Sequence, residues 1–188
     1  MAPKKEDARG RLQQAALELY RERGYDQTTT SEIAARAGVT ERTFFRHFPD
    51  KREVLFDGEP KLRLALTTAI AEAPDALGPL ETLLTAFRST EKMIEANRPF
   101  AEPRHHVIAA TPALQERELA KMASLTSALA AALRDRGVDQ RLAMLAAQTG
   151  MAAFGQAALH WLEDPTLSIS DHLDRTFLEL RELALGAH

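Results

Sequence analysis

Residues 28–51 read TTTSEIAARAGVTERTFFRHFPDK, and this stretch decides what the rest of the chain has to be. Thr29 and Glu32 have the spacing of a capping box, in which each side chain bonds the backbone N–H of the other, so they predict the start of a helix. Gly38 predicts its end, because glycine adopts the left-handed conformation that stops a helix. Thr40 caps a second short helix. The segment therefore predicts two short helices around a tight turn.

This arrangement is typical of a helix-turn-helix, which places its second helix in the major groove of DNA. The second helix carries three phenylalanines, Phe44, Phe45 and Phe48, too many for a short exposed helix. We therefore expect Phe44 and Phe48 to pack inward. Downstream, Pro49 ends the helix.

The other segments also have helical periodicity, and none alternates as a strand would. Upstream of the motif, an apolar stripe and Gly24 predict a first helix from about Asp7 to Arg23. Pro60 cannot donate to the carbonyl of Phe56, so a kink or break is expected there. Pro99 and Pro103 are expected to end a helix. Further helices are predicted over 50–66, 80–97, 111–136, 142–162 and 170–185.

Composition and charge narrow the classes of protein. The chain has 188 residues and 45% apolar content, enough for a core, and no cysteine, which excludes disulfides and thiolate metal sites. No secretory signal and no uninterrupted run of 18 apolar residues is visible, so we expect a cytoplasmic protein without a membrane segment. The net charge is −3, but residues 1–55 hold 11 Lys/Arg and 9 Asp/Glu, a slightly basic portion that suits phosphate contact.

The motif residues resemble the TetR family of transcriptional regulators, and the match covers about residues 11–55. The matching positions are the A-L-E-L-Y end of the first helix, Gly24-Tyr25, Thr28-Thr29-Thr30, Ile33-Ala34, Ala37-Gly38-Val39, Thr43, His47-Phe48 and Lys51. The resemblance implies an all-α protein of about nine helices: a helix-turn-helix domain over 1–50 and a ligand-binding and dimerisation domain over 51–188. It also implies a repressor that binds a near-palindromic operator as a homodimer through its last two helices, and that is released when a small molecule binds.

The first turns of a recognition helix face the bases, so Thr40 to Thr43 are the expected reading edge. Arg42 is the best candidate for reading a base, because a guanidinium matches guanine O6 and N7. Glu41 has two open interpretations: it accepts from cytosine N4, or it lies favourably at the helix dipole. His47 and Lys51 also have alternatives to DNA contact. His47 could instead hydrogen-bond the backbone of its own domain, and Lys51 could be a solvent-exposed lysine. The candidate DNA contacts are Thr30, Ser31, Thr40, Glu41, Arg42, Thr43, Phe45, His47 and Lys51.

Two positions depart from the family pattern. The family usually has glycine or a small residue at the position of Arg42, and tyrosine at the position of Phe45. Phe45 cannot donate a hydroxyl hydrogen bond to phosphate, but it can pack on a sugar or on a thymine methyl group. This protein is therefore expected to prefer an operator that differs from those of its relatives.

Residues 51–188 give weaker signals. The small residues Ala146, Ala147, Gly150, Ala153, Gly155 and Ala157 permit close helix approach, either in a dimer or in the core of one chain. The segment from Gly58 to Pro60 is a candidate hinge. His105 and His106 are adjacent and point apart on a helix, so no metal site is expected. The candidate ligand-pocket residues are Phe87, Met93, Phe100, His105, His106, Met122, Met151, Phe154 and Trp161.

Two alternative classes of function remain at this point. A helical enzyme is one, although the sequence has no Gly-rich phosphate loop after a strand, no H-E-x-x-H motif and no cysteine nucleophile. A protein-interaction module that uses the motif only for packing is the other. No cofactor is implied. The favoured reading has double-stranded DNA, a small-molecule effector and a second copy of the chain as partners.

Overall fold

The computed structural model describes residues 5–186, with side chains from residue 8 onward. Within these residues it contains ten α-helices, one short 3₁₀ helix and no strand, which confirms the predicted all-α fold. The elements are α1 (Lys5–Arg23), α2 (Thr30–Arg36), α3 (Glu41–His47), the 3₁₀ helix η1 (Glu53–Phe56), α4 (Glu59–Glu72), α5 (Pro79–Ser89), α6 (Glu91–Ala96), α7 (Arg98–Ala109), α8 (Pro112–Asp135), α9 (Gln140–Glu163) and α10 (Ile169–Leu185).

The short helices begin and end at the predicted residues. The Thr29 hydroxyl accepts from the Glu32 N–H at 3.2 Å, and the Glu32 carboxylate accepts from the Thr29 N–H at 2.9 Å, so both bonds of the capping box are present. The Thr40 hydroxyl accepts from the Thr43 N–H at the start of α3. Gly38, with φ of +68°, ends α2 in the left-handed conformation that favours glycine.

The break expected at Pro60 is present: the helix predicted over 50–66 is divided into η1 and α4, with Pro60 in the first turn of α4, where no N–H partner is needed. Two other helix boundaries differ from the prediction. The segment 80–97 is divided at Thr90, whose buried hydroxyl donates to the Phe87 carbonyl at 2.7 Å. Pro103 lies inside α7 instead of ending a helix. Burial of the following turn of α7 against a hydrophobic core offsets the hydrogen bond that Pro103 cannot make.

The chain forms two compact units, of which the first contains the residues up to Gly58 together with Pro99–Leu119. Phe44 and Phe48 are buried in its core, as predicted. The same core includes Val107, Ile108 and Leu114, which come from α7 and α8. The first unit therefore extends past residue 50 and takes part of its core from the middle of the chain.

The second unit contains Glu59–Arg98 and the residues from Ala120 onward. An aromatic cluster lies inside it: the Phe87 ring is 4.8 Å from Phe154 and 6.2 Å from Phe177, between centroids. Gly150 permits α9 to approach α5, since a Cβ atom there would lie 2.8 Å from Leu83 Cδ1.

Most of the small residues of α9 pack inside this unit. Ala146, Ala147, Gly150, Ala153 and Ala157 are buried, whereas Gly155 is exposed. Packing within one chain thus accounts for five of the six.

By length and composition, α9 is the one helix in residues 5–186 that could cross a membrane. Core helices of soluble proteins pass the same test, and nine residues of α9 are buried in the second unit. Its apolar character therefore has an explanation in the packing of the chain itself.

Candidate functional site

The solvent-facing surface of α3 carries the residues predicted to read DNA. Thr40, Glu41 and Arg42 are exposed at its first turn, and Thr43 is half-buried. The opposite face is anchored by Phe44, which is fully buried. Because the buried ring fixes the rotation of a seven-residue helix, the polar edge points outward.

Phe45 is an exposed aromatic residue on this surface, with 53% of its area accessible. Its ring meets the Phe44 ring edge-on, with centroids 5.4 Å apart. Such a pair restricts the orientation of the outer ring, so Phe45 presents a defined apolar face to solvent.

Arg46 is a residue that the sequence reasoning did not single out. It is exposed and lies four residues after Arg42, on the same face of α3. The spacing of the two arginines was the available signal. Together they put two guanidinium groups along one side of the helix.

Glu41 and Thr30 connect the first turns of α3 and α2. The Thr30 hydroxyl donates to the Glu41 carboxylate at 2.5 Å, and the hydroxyl groups of Thr40 and Thr43 lie 3.1 Å apart. Neither predicted interpretation of Glu41 included this contact. Its carboxylate helps to hold α2 and α3 in register, and Ser31, the residue after Thr30, is exposed on α2.

Lys51 lies after α3 and contacts the turn that precedes α2. Its ammonium group donates to the carbonyls of Tyr25 and Thr28 at 2.8 and 2.9 Å, and it lies 4.2 Å from the centre of the Tyr25 ring. The Tyr20 hydroxyl donates to the Lys51 carbonyl at 2.6 Å, and burial raises the pKa of Tyr20. Lys51 therefore fixes the turn that positions the start of α2. His47 is half-buried, with its ring beside Phe48.

Carboxylates stabilise two helix starts in this unit. Hydrogen bonds from Thr29 hold the pKa of Glu32 below its ordinary value of 4.5. Asp50 accepts from the N–H groups of Arg52 and Glu53, and although burial raises its pKa, these bonds and Arg52 outweigh that effect and lower it. Asp50 thus caps the turn before η1, whereas the Glu53 carboxylate pairs with Arg117.

The nine predicted pocket residues are divided between the two units. Phe100, His105 and His106 lie in the first unit, where the Phe100 ring packs against the core. Phe87, Met151, Phe154 and Trp161 are buried in the second, where Met93 is half-buried and Met122 is exposed. A pocket lined by all nine residues therefore stays a prediction.

Trp161 has a specific set of partners. Its indole N–H donates to Glu95 at 2.9 Å, and the same carboxylate accepts from the Ile169 N–H at the start of α10. Arg98 stacks 4.6 Å from the indole ring and donates to the Trp161 carbonyl at 2.5 Å. These contacts hold the turn between α9 and α10.

Two open grooves are large enough for a ligand. One, of about 430 Å³, lies in the second unit at the starts of α5 and α9, and none of the nine predicted residues lines it. Its lining is Gly78, Pro79, Leu80, Glu81, Leu142, Leu145, Ala146, Thr149 and Arg181. The other, of about 540 Å³, lies in the first unit between the end of α1 and the α7–α8 turn, and includes His106.

Two family models match separate parts of the chain. Residues 12–57 match the model described as bacterial regulatory proteins, tetR family. Residues 77–184, more than half of the chain, match the model described as MftR C-terminal domain.

Curated relatives are named as transcriptional regulators. The chain is 38% identical to the regulator TcmR of Streptomyces glaucescens over 81 residues, 43% of this chain and 36% of that protein. It is 24% identical to the putative mycofactocin biosynthesis regulator MftR of Mycobacterium tuberculosis over 88% of this chain and 85% of that one. The match thus spans about a third of the length of TcmR and most of MftR.

Solved structures have the same fold. The repressor FadR of Thermus thermophilus, solved with lauroyl-CoA, is 26% identical, covers 96% of this chain and 95% of its own, and superposes with a TM-score of 0.56. A putative regulator from Syntrophomonas wolfei is 17% identical over 98% of both chains, with a TM-score of 0.69, which shows the fold alone. With its helix-turn-helix and matched helical domain, the chain belongs to the TetR family of DNA-binding transcriptional regulators.

Proposed function

We propose that this regulator is a ligand-responsive repressor that binds a near-palindromic operator as a homodimer in the cytoplasm and is released by a small molecule. The observation that carries the proposal is the surface of α3. Arg42, Phe45 and Arg46 are exposed on a short helix whose opposite face is locked by a buried phenylalanine. This is the arrangement that a recognition helix needs.

The roles of the side chains follow from their chemistry. Arg42 is suited to bidentate contact with guanine, and the fixed ring of Phe45 to a thymine methyl group. Thr30, Ser31, Thr43 and His47 are proposed to contact phosphates, which sets the register on the duplex without reading sequence. Glu41 supports the reading edge through its bond to Thr30.

Dimerisation is proposed through an exposed apolar stripe on the last two helices. Leu145 and Leu159 are separated by two heptads on α9, and they are 61% and 40% exposed. On α10, Leu178 and Leu185 are 56% and 82% exposed, seven residues apart. A seven-residue spacing places side chains on one face, and a second copy related by a two-fold axis would cover both stripes.

The operator test is selection of bound sequences from random duplex DNA with the purified protein. We expect a near-palindrome whose half-sites are about 34–36 Å apart or a multiple of that distance. Arg42→Ala should weaken binding to the selected site by roughly 5- to 150-fold and relax the preference at one base pair in each half-site. Arg88→Ala, which removes an exposed ion pair with Asp174 in the second unit, is the matched control. Selection of unrelated sequences would contradict the proposal.

Acyl-CoA thioesters are the first effectors to test, because the Thermus thermophilus FadR was solved with lauroyl-CoA. Lauroyl-CoA is titrated into the complex of protein and selected DNA, with free CoA and laurate as controls. Release by lauroyl-CoA alone would assign the effector class. Release by none of the three would exclude lauroyl-CoA as the effector and leave the operator result intact.

A module that binds other proteins is the second candidate function. It would use the same exposed Phe45 and the stripe of α9 and α10 without binding DNA. Phosphate contacts make DNA binding strongest at low salt. Absence of DNA binding even at low salt would therefore favour the protein-interaction module over the repressor.

A further inference from the structure

The 3₁₀ helix η1 is the next element after α2 and α3, the proposed DNA-reading helices, and it is separated from α4. Asp57 and Gly58 lie between the two elements, and the boundary of the first unit falls after Gly58. The last carbonyl groups of a helix need partners from outside it. A rigid helix does not continue from η1 into α4, so the position of η1 must be set by other contacts.

Arg104, on α7, supplies one of these contacts. Its Nε donates to the Leu55 carbonyl at 2.6 Å, and its guanidinium lies 4.9 Å from the centre of the Phe56 ring. The same guanidinium pairs with Glu118 at 3.2 Å, and only 22% of the side chain is exposed. A carbonyl of η1 is thus held by a largely buried charge on another helix.

The start of α8 supplies a second contact. Arg117 pairs with Glu53 in the first turn of η1, and the adjacent Glu118 holds Arg104 in place. Apolar packing accompanies these ion pairs, because Leu114 of α8 lies in the same core as Val54. We call Glu53, Leu55, Arg104, Arg117 and Glu118 the η1 clamp.

The η1 clamp includes the start of α8, a helix that continues from the first unit into the second. The chain passes from one unit to the other after Gly58, after Arg98 and after Leu119. Of these three points, all within the part of the chain that the structure describes, the last lies in the middle of a continuous helix, α8. The other two lie at a helix start. A rigid element with discrete positions is what carries coupling between distant sites.

We infer that Arg104 and Arg117 are positioning residues through which α7 and the start of α8 help to set the position of the DNA-reading helices. This inference rests on the proposed binding of an operator. Coupling between two sites is reciprocal, so DNA bound to α3 must in turn stabilise the η1 clamp and the start of α8.

The test is hydrogen exchange of the full-length protein, free and bound to the selected operator. Binding is expected to slow exchange in α2 and α3, and also in η1 and over residues 104–119. In Arg117→Gln, binding should no longer slow exchange in η1 and over residues 104–119. Operator affinity should fall by roughly 2- to 30-fold, while the melting temperature stays close to that of the parent. Arg88→Gln, the control, changes neither quantity.

A charge exchange keeps the test decisive if Arg117→Gln is unstable. The double variant Glu53→Arg with Arg117→Glu should retain both the affinity and the protection of residues 104–119, whereas either single change should lose them. Protection confined to α2 and α3 in the parent, or full affinity in Arg117→Gln, would overturn the inference and leave the repressor proposal standing. Failure of the parent to select any DNA would overturn both.

Discussion

Lys51 has two roles that its contacts can separate. Its position in the motif predicts a phosphate contact, and this stays a prediction. In the structure its ammonium group already donates to the carbonyls of Tyr25 and Thr28. A lysine has three donors, and two of them here point at the protein. The residue therefore acts on the turn before α2, and we expect its effect on DNA binding to pass through that turn.

Replacement of Lys51 by methionine should distinguish the two roles. We expect a loss of about 1–3 kcal/mol in the free energy of unfolding, because two carbonyls lose a charged donor. Operator binding should weaken, while the slope of log affinity against log salt stays nearly constant. A slope reduced by about one at unchanged stability would instead indicate a direct phosphate contact. Chemical denaturation and binding at several salt concentrations measure these quantities.

Glu32 makes the stability of α2 depend on pH. Bonds from Thr29 lower its pKa in the folded chain, so its stabilising effect is complete above the pKa of the unfolded state and is lost as the pH falls through the folded value. Glu32→Gln keeps a side chain that can bond the Thr29 N–H but does not titrate. The variant should melt below the parent at pH 7, and the difference should shrink below about pH 4. A constant difference from pH 7 to pH 3 would contradict this prediction.

Which residues could be predicted depends on the range of their contacts. Thr29, Thr40 and Gly38 act on backbone within a few positions of themselves, so spacing alone predicted them. The bond from Thr30 to Glu41 spans 11 positions, and that from Arg104 to Leu55 spans 49. No local pattern encodes such a pair, because it exists only after the helices have packed.

At the level of elements, the breaks were harder to predict than the caps. Pro60 and Pro103 have the same local chemistry, yet one opens α4 and the other lies inside α7. The difference arises from burial of the neighbouring turn, which sequence spacing does not reveal. Similarly, α5 and α6 are divided at Thr90, whose buried hydroxyl donates to the Phe87 carbonyl. In the sequence, Thr90 resembles any other residue inside a helix.

Gly150 tests the close approach of α9 to α5. An added Cβ would lie 2.8 Å from Leu83 Cδ1, in a region where Leu83 and Phe87 are fully buried. Gly150→Ala should therefore destabilise the protein by roughly 1 kcal/mol, since the strain exceeds the gain in helix propensity. Gly10→Ala, in open space within α1, should stabilise by about 0.5–1 kcal/mol. Equal gains in the two variants would show that Leu83 moves without cost.

At the scale of the whole molecule, the leucine stripe on α9 and α10 is the feature to test for assembly. Leu145→Glu with Leu178→Glu should convert a dimer into a monomer, because two charges on each chain would be desolvated in the contact. Leu64→Glu, at a residue of α4 that is 68% exposed, is the matched control and should remain dimeric. Sedimentation velocity gives the mass. A double variant that remains dimeric would place the interface elsewhere.

The first unit is built from two separate segments of chain, and this affects when the unit can fold during synthesis. Val107, Ile108 and Leu114 complete the core around α1 to α3, but the ribosome synthesises 40 residues, 59–98, before it reaches their segment. Until then, the emerging N-terminal helices have apolar side chains without their final neighbours. Contacts so distant in sequence slow folding. A nascent chain therefore acquires its complete first unit only after more than half of the protein has been translated.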